Sequence, residues 1–481
     1  MNYRMIKYTL GWLMLFEAAF FLVPMITAVC YGEWWTLLSF LISALICLGL
    51  GALCVYKKPE KTGIFAREGF VIVSLSWILL SVFGALPFVI DGCEANYINA
   101  LFETASGFTT TGSTIFSDVE SLPKAILMWR SFTHWVGGMG VLVFIMAFLP
   151  LGGGQNMHIM RAESPGPEVS KLFPRVKHTA LILYSIYLGL TVITFICLMV
   201  SGMSFFDSVN TAFATAGTGG FGIRNDSFAS FSAAQQIIVT VFMLLFSINF
   251  NSYYLILKLK LRDAFNTEVG IFVLIVLSAI GLITLNIYQR SEFDSIYDAM
   301  RHAAFTVASL ISTTGFSTEN FDLWPELSKT VLVLVMFIGA CAGSTGGGIK
   351  VSRILIAIKG FLREINTLIH PKQIKNITID KRPVDREVVR SVNAYLVCYI
   401  LVFVSSLLLI TLDNKGMVTN FTAVVATLNN IGPGLDGVGP AANFADFSIF
   451  SKLVLTFNMI AGRLELFPML ILFSPTTWKR S

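Results

Sequence analysis

The sequence predicts an all-α polytopic membrane protein in which two N-terminal helices precede four helix–re-entrant pore helix–helix repeats around a central pore. Three observations predict this fold class. Hydrophobic residues make up 55% of the 481 residues and charged residues 13%, with a mean hydropathy of +0.73, whereas soluble domains carry about 25% charged residues. Apolar runs of spanning length recur along the chain. A short motif rich in Thr and Gly recurs four times between them.

Ten apolar runs are each about long enough to cross a bilayer, for which roughly 20 helical residues are needed. They lie near 8–30, 35–55, 70–90, 127–150, 179–201, 235–257, 270–287, 330–349, 391–411 and 453–474. We interpret the first run as a retained helix, because its apolar stretch is too long for a signal peptide and no small-residue cleavage site follows it.

The distribution of Lys and Arg predicts that both termini are cytoplasmic. With ten alternating spans, 25 of the 34 Lys and Arg residues fall on the cytoplasmic side and six in outer loops, as the positive-inside rule requires. The outer loops are then acidic, which would concentrate cations at the pore mouth. The same acidity also follows from the positive-inside rule alone.

Four short amphipathic stretches divide the chain into repeats. They lie at 99–108, 207–214, 298–311 and 420–428, and each is too short to cross a bilayer. We therefore predict two N-terminal helices (1–68), repeat 1 with a cytosolic loop (69–177), repeat 2 (178–268), repeat 3 with an intramembrane loop and a basic cytosolic segment (269–390), and repeat 4 (391–481). All four repeats run in the same direction, which favours a pore over a transporter built from two inverted halves.

Each short stretch is followed by a bulky-x-polar-x-Gly sequence, as in Phe108-Thr-Thr-Thr-Gly112, and the anchoring glycines are 105, 98 and 117 residues apart. The predicted ion-binding filter residues, three from each repeat, are Thr110, Thr111, Gly112, Thr215, Ala216, Gly217, Thr313, Thr314, Gly315, Asn430, Ile431 and Gly432. Glycine allows backbone carbonyls to turn toward an ion. Carboxylates are absent from these positions, which favours a weakly held monovalent cation over a divalent one. The alternative is four glycine-rich turns between packed helices.

The filter segments resemble those of the Trk/Ktr/HKT superfamily of potassium transporters, in its TrkH/TrkG-type branch. The stretches 129–140, 339–348, 429–434 and 462–467 carry the same resemblance, which extends over essentially the whole chain. It implies potassium uptake across a bacterial inner membrane, a homodimer, and a cytosolic nucleotide-binding partner of the TrkA type. The fourth segment has Asn430 and Ile431 where the first has Thr110 and Thr111. The preference for potassium over sodium should therefore be weaker than in a filter with four identical segments.

Beneath the filter we predict a gate made by Arg463 and an intramembrane loop. Arg463 is expected halfway along a spanning helix, where an unpaired Arg costs at least about 2.5–3.5 kcal/mol. The loop interrupts another span and consists of Ala342, Gly343, Ser344, Thr345, Gly346, Gly347 and Gly348. The alternative is that Arg463 only hydrogen-bonds loop carbonyls and stabilises the fold.

Other charged residues within the apolar runs have structural interpretations. Glu103 and Arg130 are expected to form an ion pair that braces the filter, and Arg301 could brace it in the same way. Glu17 is expected to pack or to reach the lipid headgroups, and His134 to pack.

The basic segment 350–390 holds ten Lys and Arg residues. It is a candidate site for the regulatory partner or for anionic lipid, with 152–177 as the other candidate for the partner.

Several other functions are excluded or left open. The GxGxxG match at 432–439 follows a short helix rather than a strand, and 343–350 lacks the Gly-Lys-Ser/Thr ending of a phosphate loop, so neither predicts nucleotide binding. Five scattered histidines and seven cysteines without a CxxC pair predict no enzyme, no bound cofactor and no metal site other than potassium at the filter. Membrane lipid is an expected partner and nucleic acid is not. A proton- or sodium-coupled potassium symporter with an occluded site remains the alternative function.

Overall fold

The computed structural model describes residues 1–59, 65–140, 176–290, 293–371, 376–380 and 382–479, and this part of the chain is almost entirely helical. The only strands in it form a short antiparallel hairpin between β1 (Thr378–Ile379) and β2 (Arg382–Pro383). Residues 141–175, which include most of the candidate partner site 152–177, lie outside the described residues. The predicted all-α fold is confirmed.

The N-terminal segment forms two candidate membrane spans that pack against repeat 1, and the first of them consists of two consecutive helices. The three helices are α1 (Tyr3–Phe20), α2 (Leu22–Tyr31) and α3 (Trp34–Val55). The ring of Trp129 lies 4.7 Å from Phe21, 6.1 Å from Phe40 and 5.8 Å from Phe108, measured between ring centroids. This buried aromatic cluster joins the N-terminal helices to the end of the first pore helix.

Four helix–pore helix–helix repeats follow. Repeat 1 contains α4 (Ala66–Gly84), α5 (Leu86–Asp91), α6 (Tyr97–Phe108) and α7 (Lys124–Gly138). Repeat 2 contains α8 (Val176–Val200), α9 (Phe205–Gly217), α10 (Ala233–Phe246), α11 (Phe250–Leu257) and α12 (Leu261–Ala264). Repeat 3 contains α13 (Thr267–Gln289), α14 (Ile296–Ile311), α15 (Glu326–Ile338) and α16 (Val351–Ile369). Repeat 4 contains α17 (Arg386–Ile410), α18 (Met417–Leu428), α19 (Ile449–Arg463), α20 (Phe467–Ile471) and α21 (Pro475–Trp478).

The pore helices α6, α9, α14 and α18 contain the four predicted short stretches. Three of them begin at a polar side chain that accepts a hydrogen bond from a free backbone N–H of the first turn. These caps are Asn96, Ser204 and Ser295. With 12 to 16 residues each, the pore helices are too short to span a bilayer.

The second helix of each of repeats 2, 3 and 4 is interrupted, whereas the sequence predicted an interruption only in repeat 3. Six described helices are long and apolar enough to span a membrane, and α10 and α11 together would make a seventh if they were not bent by 91°. The predicted continuous spans 235–257 and 453–474 are therefore wrong. Asn249 caps α11 with its side chain, and Glu465 and Leu466 have φ angles of 56° and 69°, which end α19.

Candidate functional site

The four pore helices end in the same backbone conformation. The second residue after α6, α14 and α18, and the first after α9, has a positive φ between 54° and 59°, and these residues are Thr110, Thr218, Thr313 and Asn430. The next residue in each case donates its N–H to the carbonyl five positions earlier, with N–O distances of 2.8–2.9 Å. A glycine with a φ of 80° to 104° then follows in every repeat: Gly112, Gly220, Gly315 and Gly432. The four segments are therefore geometrically equivalent.

This equivalence corrects the predicted register in repeat 2. Thr215, Ala216 and Gly217 form the last turn of α9, and the equivalent segment is Thr218-Gly219-Gly220. The prediction aligned the repeats on one glycine each and chose Gly217 in repeat 2, where several glycines lie close together. Only the left-handed turn at Thr218 shows which glycine follows the helix end.

The four segments form a closed ring. A Cβ placed on Gly112 would lie 2.1 Å from the carbonyl oxygen of Gly219, and one on Gly220 would lie 1.9 Å from that of Thr314. A Cβ on Gly315 would lie 2.2 Å from the oxygen of Ile431, and one on Gly432 would lie 2.9 Å from that of Thr111. Each glycine thus faces the carbonyl that precedes the equivalent glycine of the next repeat, in the order 1, 2, 3, 4 and back to 1. Four independent turns between helices would not make this cycle.

Hydrogen bonds of hydroxyl and amide side chains within and around the filter segments stabilise the ring. Thr109 and Thr111 share a hydrogen bond of 2.7 Å between their Oγ1 atoms, and Ser312 and Thr314 share one of 2.6 Å. In the fourth segment Asn430 donates from Nδ2 to Thr111 Oγ1 at 2.9 Å and to the carbonyl of Met459 at 2.8 Å. The fourth filter segment, which differs from the first in sequence, is therefore hydrogen-bonded to the first segment.

The predicted ion pair of Glu103 and Arg130 is confirmed, with Arg130 Nε 2.8 Å from Glu103 Oε1 and both side chains buried. Glu103 also accepts hydrogen bonds from Ile115 N–H at 2.9 Å and Thr114 Oγ1 at 3.0 Å. These two residues lie just beyond Gly112, so the pair fixes the segment that leaves the ring.

Arg301 does not brace the ring in the same way as Arg130, because its guanidinium pairs with Asp298 on the same helix at 2.9 Å and otherwise contacts His302 Nε2 at 3.2 Å. His302 braces the ring instead through a 2.8 Å hydrogen bond between Nδ1 and Thr318 Oγ1. The packing role of His134 is supported. Its Nε2 accepts from Phe221 N–H at 3.2 Å, so Nδ1 carries the proton and donates to the carbonyl of Gly107 at 2.8 Å.

The predicted interruption in repeat 3 is confirmed and lies directly beneath the ring. Helix α15 ends at Ile338 and α16 begins at Val351. Between them, Gly347 N–H donates to Thr313 Oγ1 at 2.6 Å and Gly348 N–H donates to the carbonyl of Asn429 at 3.1 Å. The loop is therefore attached to the bases of the third and fourth filter segments.

Arg463 reaches this loop, although not from the predicted position. It is the last residue of α19 rather than the midpoint of a longer helix. Its guanidinium donates to the carbonyl oxygens of Thr345, Gly137 and Gly138 at 2.6–2.7 Å. Arg463 thus connects the loop to the end of α7.

Glu465, two residues beyond Arg463, forms an ion pair with Arg353.

A cavity of about 80 Å³ lies between these elements. Loop residues, Arg463, Lys350, Glu465 and Trp77 line it. The Lys350 side chain is buried and its Nζ donates to the carbonyl of Gly346. The cavity carries charged side chains and lies under a ring of backbone carbonyls, where an ion path below a filter is expected.

These features define a polytopic membrane protein with a four-repeat pore. The family model TrkH, described as "Cation transport protein", matches residues 38–480. The Trk system potassium uptake proteins TrkH of Salmonella typhimurium and of Escherichia coli are each 36% identical over 488 residues, with 100% of both chains covered. The crystal structure of the potassium transporter TrkH from Vibrio parahaemolyticus is similar with a TM-score of 0.90 at 34% identity, covering 100% of both chains. The chain belongs to the TrkH family of cation transport proteins.

Proposed function

We propose that this protein takes up potassium across the bacterial inner membrane through the ring formed by its four filter segments. The observation that carries the proposal is the cyclic contact of each filter glycine with a carbonyl of the next repeat. The names of the relatives, which are potassium uptake proteins, support potassium as the ion.

The corrected filter contains Thr110, Thr111, Gly112, Thr218, Gly219, Gly220, Thr313, Thr314, Gly315, Asn430, Ile431 and Gly432. None of these residues has a carboxylate, and weakly held monovalent ions suit a cage of carbonyls and hydroxyls better than divalent ions do.

Expression in cells that lack potassium uptake should restore growth at low potassium, and the purified protein should carry rubidium into proteoliposomes. Absence of both effects would refute the proposal. The same vesicles, measured with and without a proton or sodium gradient, distinguish a pore from the symporter alternative.

We further propose that Arg463 and the loop 342–348 close the path below the filter. The hydrogen bond from Arg463 to Thr345 and the attachment of the loop to Thr313 and Asn429 support this position for a gate. Arg463 could act by its charge, which repels cations, or by its hydrogen bonds, which hold the loop.

Two variants separate these roles. Arg463→Ala removes both charge and hydrogen bonds and should raise flux, as should deletion of loop glycines. Arg463→Lys keeps the charge but loses the planar donor geometry that reaches three carbonyls. Low flux in Arg463→Lys assigns the barrier to charge, and high flux assigns it to the hydrogen bonds. If Arg463→Ala and the glycine deletions both lower flux in well-folded protein, the arginine and the loop only stabilise the fold.

We propose that the protein is a homodimer with cytoplasmic termini and that its basic cytosolic segment binds a nucleotide-binding regulatory subunit of the TrkA type. Two basic residues of 350–390, Lys350 and Arg353, are buried against the loop and Glu465 and are not available to a partner. Arg382, Arg386 and Arg390 are exposed.

Replacing these three arginines by Gln should abolish retention of such a subunit in a pull-down. Retained binding would move the site elsewhere, for example to 152–177. Loss of binding to anionic vesicles alone would assign the segment to lipid. Light scattering in detergent tests the dimer.

A further inference from the structure

One carboxylate in repeat 3 holds both ends of the intramembrane loop. Oε1 of Glu268 accepts hydrogen bonds from the backbone N–H of Ala342 at 2.8 Å and of Ser352 at 3.2 Å. Ala342 begins the loop, and Ser352 lies in the first turn of α16. Glu268 is in the first turn of α13 and is buried. The two ends of the loop are thereby joined through a helix of their own repeat.

The body of the loop is held by a different element, the bend between α10 and α11 in repeat 2. The bend leaves the carbonyls of Phe246 and Ser247 without the helical partners that a continuous helix would supply. Thr345 Oγ1 donates to the first at 3.1 Å, and Cys341 N–H donates to the second at 3.1 Å. Phe250 N–H, freed by the same bend, donates to the carbonyl of Gly343 at 3.0 Å.

Between Ala342 and Ser352, which are bonded to Glu268, the loop contacts other repeats through Gly343 and Thr345. Cys341, which directly precedes the loop, is also bonded to repeat 2. Any displacement of the loop from beneath the filter must break its contacts with the bend and with Arg463, and those of Gly347 and Gly348 with Thr313 and Asn429. It need not break those with Glu268. If the ends were free as well, two backbone N–H groups would be left without partners at membrane depth, which is costly.

We propose that Glu268 is the positioning residue of the gate: it fixes the two ends of the loop while the segment between them moves. This inference rests on the proposed function of the loop as a gate. With its ends fixed, only the short central segment has to reorder at each closure, which keeps the entropic cost of closing small.

The test uses the full-length protein in proteoliposomes and the native Cys341, which is buried beside Ala342, as the reporter. A small thiol reagent is added, and labelling of Cys341 is quantified by mass spectrometry relative to the exposed Cys30. Glu268→Ala removes the acceptor and should raise Cys341 labelling by about tenfold or more, the effect of losing hydrogen bonds to buried groups. Glu268→Gln keeps a carbonyl oxygen at the same place and should label within about twofold of the unmodified protein.

Unchanged labelling in Glu268→Ala, or equal labelling in the Gln and Ala variants, would overturn the inference. Should Glu268→Ala fail to fold, hydrogen exchange of the unmodified protein decides. The amides of Ala342 and Ser352 should exchange more slowly than those of 343–348, and the opposite order excludes a fixed pair of ends.

Arg463→Ala provides the control that separates this inference from the gate itself. It releases the centre of the loop and should leave Cys341 labelling unchanged while flux rises. If its flux does not rise but Glu268→Ala still exposes Cys341, the gate proposal fails and Glu268 remains the anchor of the loop.

Discussion

Serine substitutions at the four filter glycines should damage ion selectivity to different extents, in an order set by the space around each glycine. Real Cβ atoms essentially never approach other atoms within 3.0 Å, so a Cβ at Gly315, placed 2.2 Å from Ile431 O, requires a shift of about 0.8 Å. At Gly432 the corresponding distance is 2.9 Å, and a shift of about 0.1 Å suffices. Gly112 and Gly220, at 2.1 and 1.9 Å, are at least as crowded as Gly315.

All four sites also have the positive φ that disfavours a side chain, at a cost of about 1–3 kcal/mol. About 1.4 kcal/mol corresponds to a tenfold change in an equilibrium constant. If the ring loosens to relieve this strain, the preference for potassium over sodium should therefore fall by roughly 5- to 140-fold. We expect Gly112→Ser, Gly220→Ser and Gly315→Ser to approach the upper figure and Gly432→Ser to stay nearest the native preference.

The assay is rubidium uptake into proteoliposomes in competition with sodium, on protein that elutes as a single species in size-exclusion chromatography. Gly281→Ser is the matched control, because Gly281 lies on the exposed side of α13 and a Cβ added to it would have no other atom within 4 Å. A larger loss of selectivity at Gly432 than at Gly220, or no loss at any of the four, would refute the ring geometry and the corrected register.

Three further predictions concern buried and surface charges. Glu103→Leu leaves Arg130 buried without its carboxylate and should lower the free energy of unfolding by about 3–5 kcal/mol, measured by thermal unfolding in detergent. The surface pair of the exposed Glu326 and the half-buried Lys329 provides the control, and Glu326→Leu should cost less than about 1 kcal/mol. Equal losses of stability in the two variants would contradict the bracing role. Neither carboxyl oxygen of Glu17 has a hydrogen-bond partner within the described residues. Glu17→Leu should therefore raise the melting temperature, and Glu17→Gln should raise it less. A lower melting temperature in Glu17→Leu would indicate that the carboxyl group has a partner. In the connection between α6 and α7, the hydrogen bond from Asn225 to Asp118 lowers the pKa of the Asp118 carboxyl. The stabilising effect of this hydrogen bond is present above the ordinary aspartate pKa of about 4 and is lost as the pH falls through the lowered value. Asp118→Asn should therefore make the fall in melting temperature on acidification shallower, and an unchanged profile would exclude this contact.

The sequence predicted the membrane class, the repeats and the interrupted span of repeat 3 because each depends on local properties. Composition decides whether a chain can face water, and the length of an apolar run decides whether it can span. A run such as Gly346-Gly-Gly348 destabilises a helix wherever it occurs. The ion pair of Glu103 and Arg130 was also predictable, since two opposite charges in adjacent apolar segments must find partners.

Tertiary structure alone decided the register of the second filter segment, because the sequence around 217–222 offers several glycines and only the end of the pore helix selects among them. It also decided where α10 and α19 end, since a bend is tolerated only where other repeats satisfy the backbone groups that it frees. For the same reason the role of Glu268 was not predictable. Its two partners lie 74 and 84 residues away in the chain and are main-chain N–H groups, which every residue except proline carries and no sequence pattern can mark.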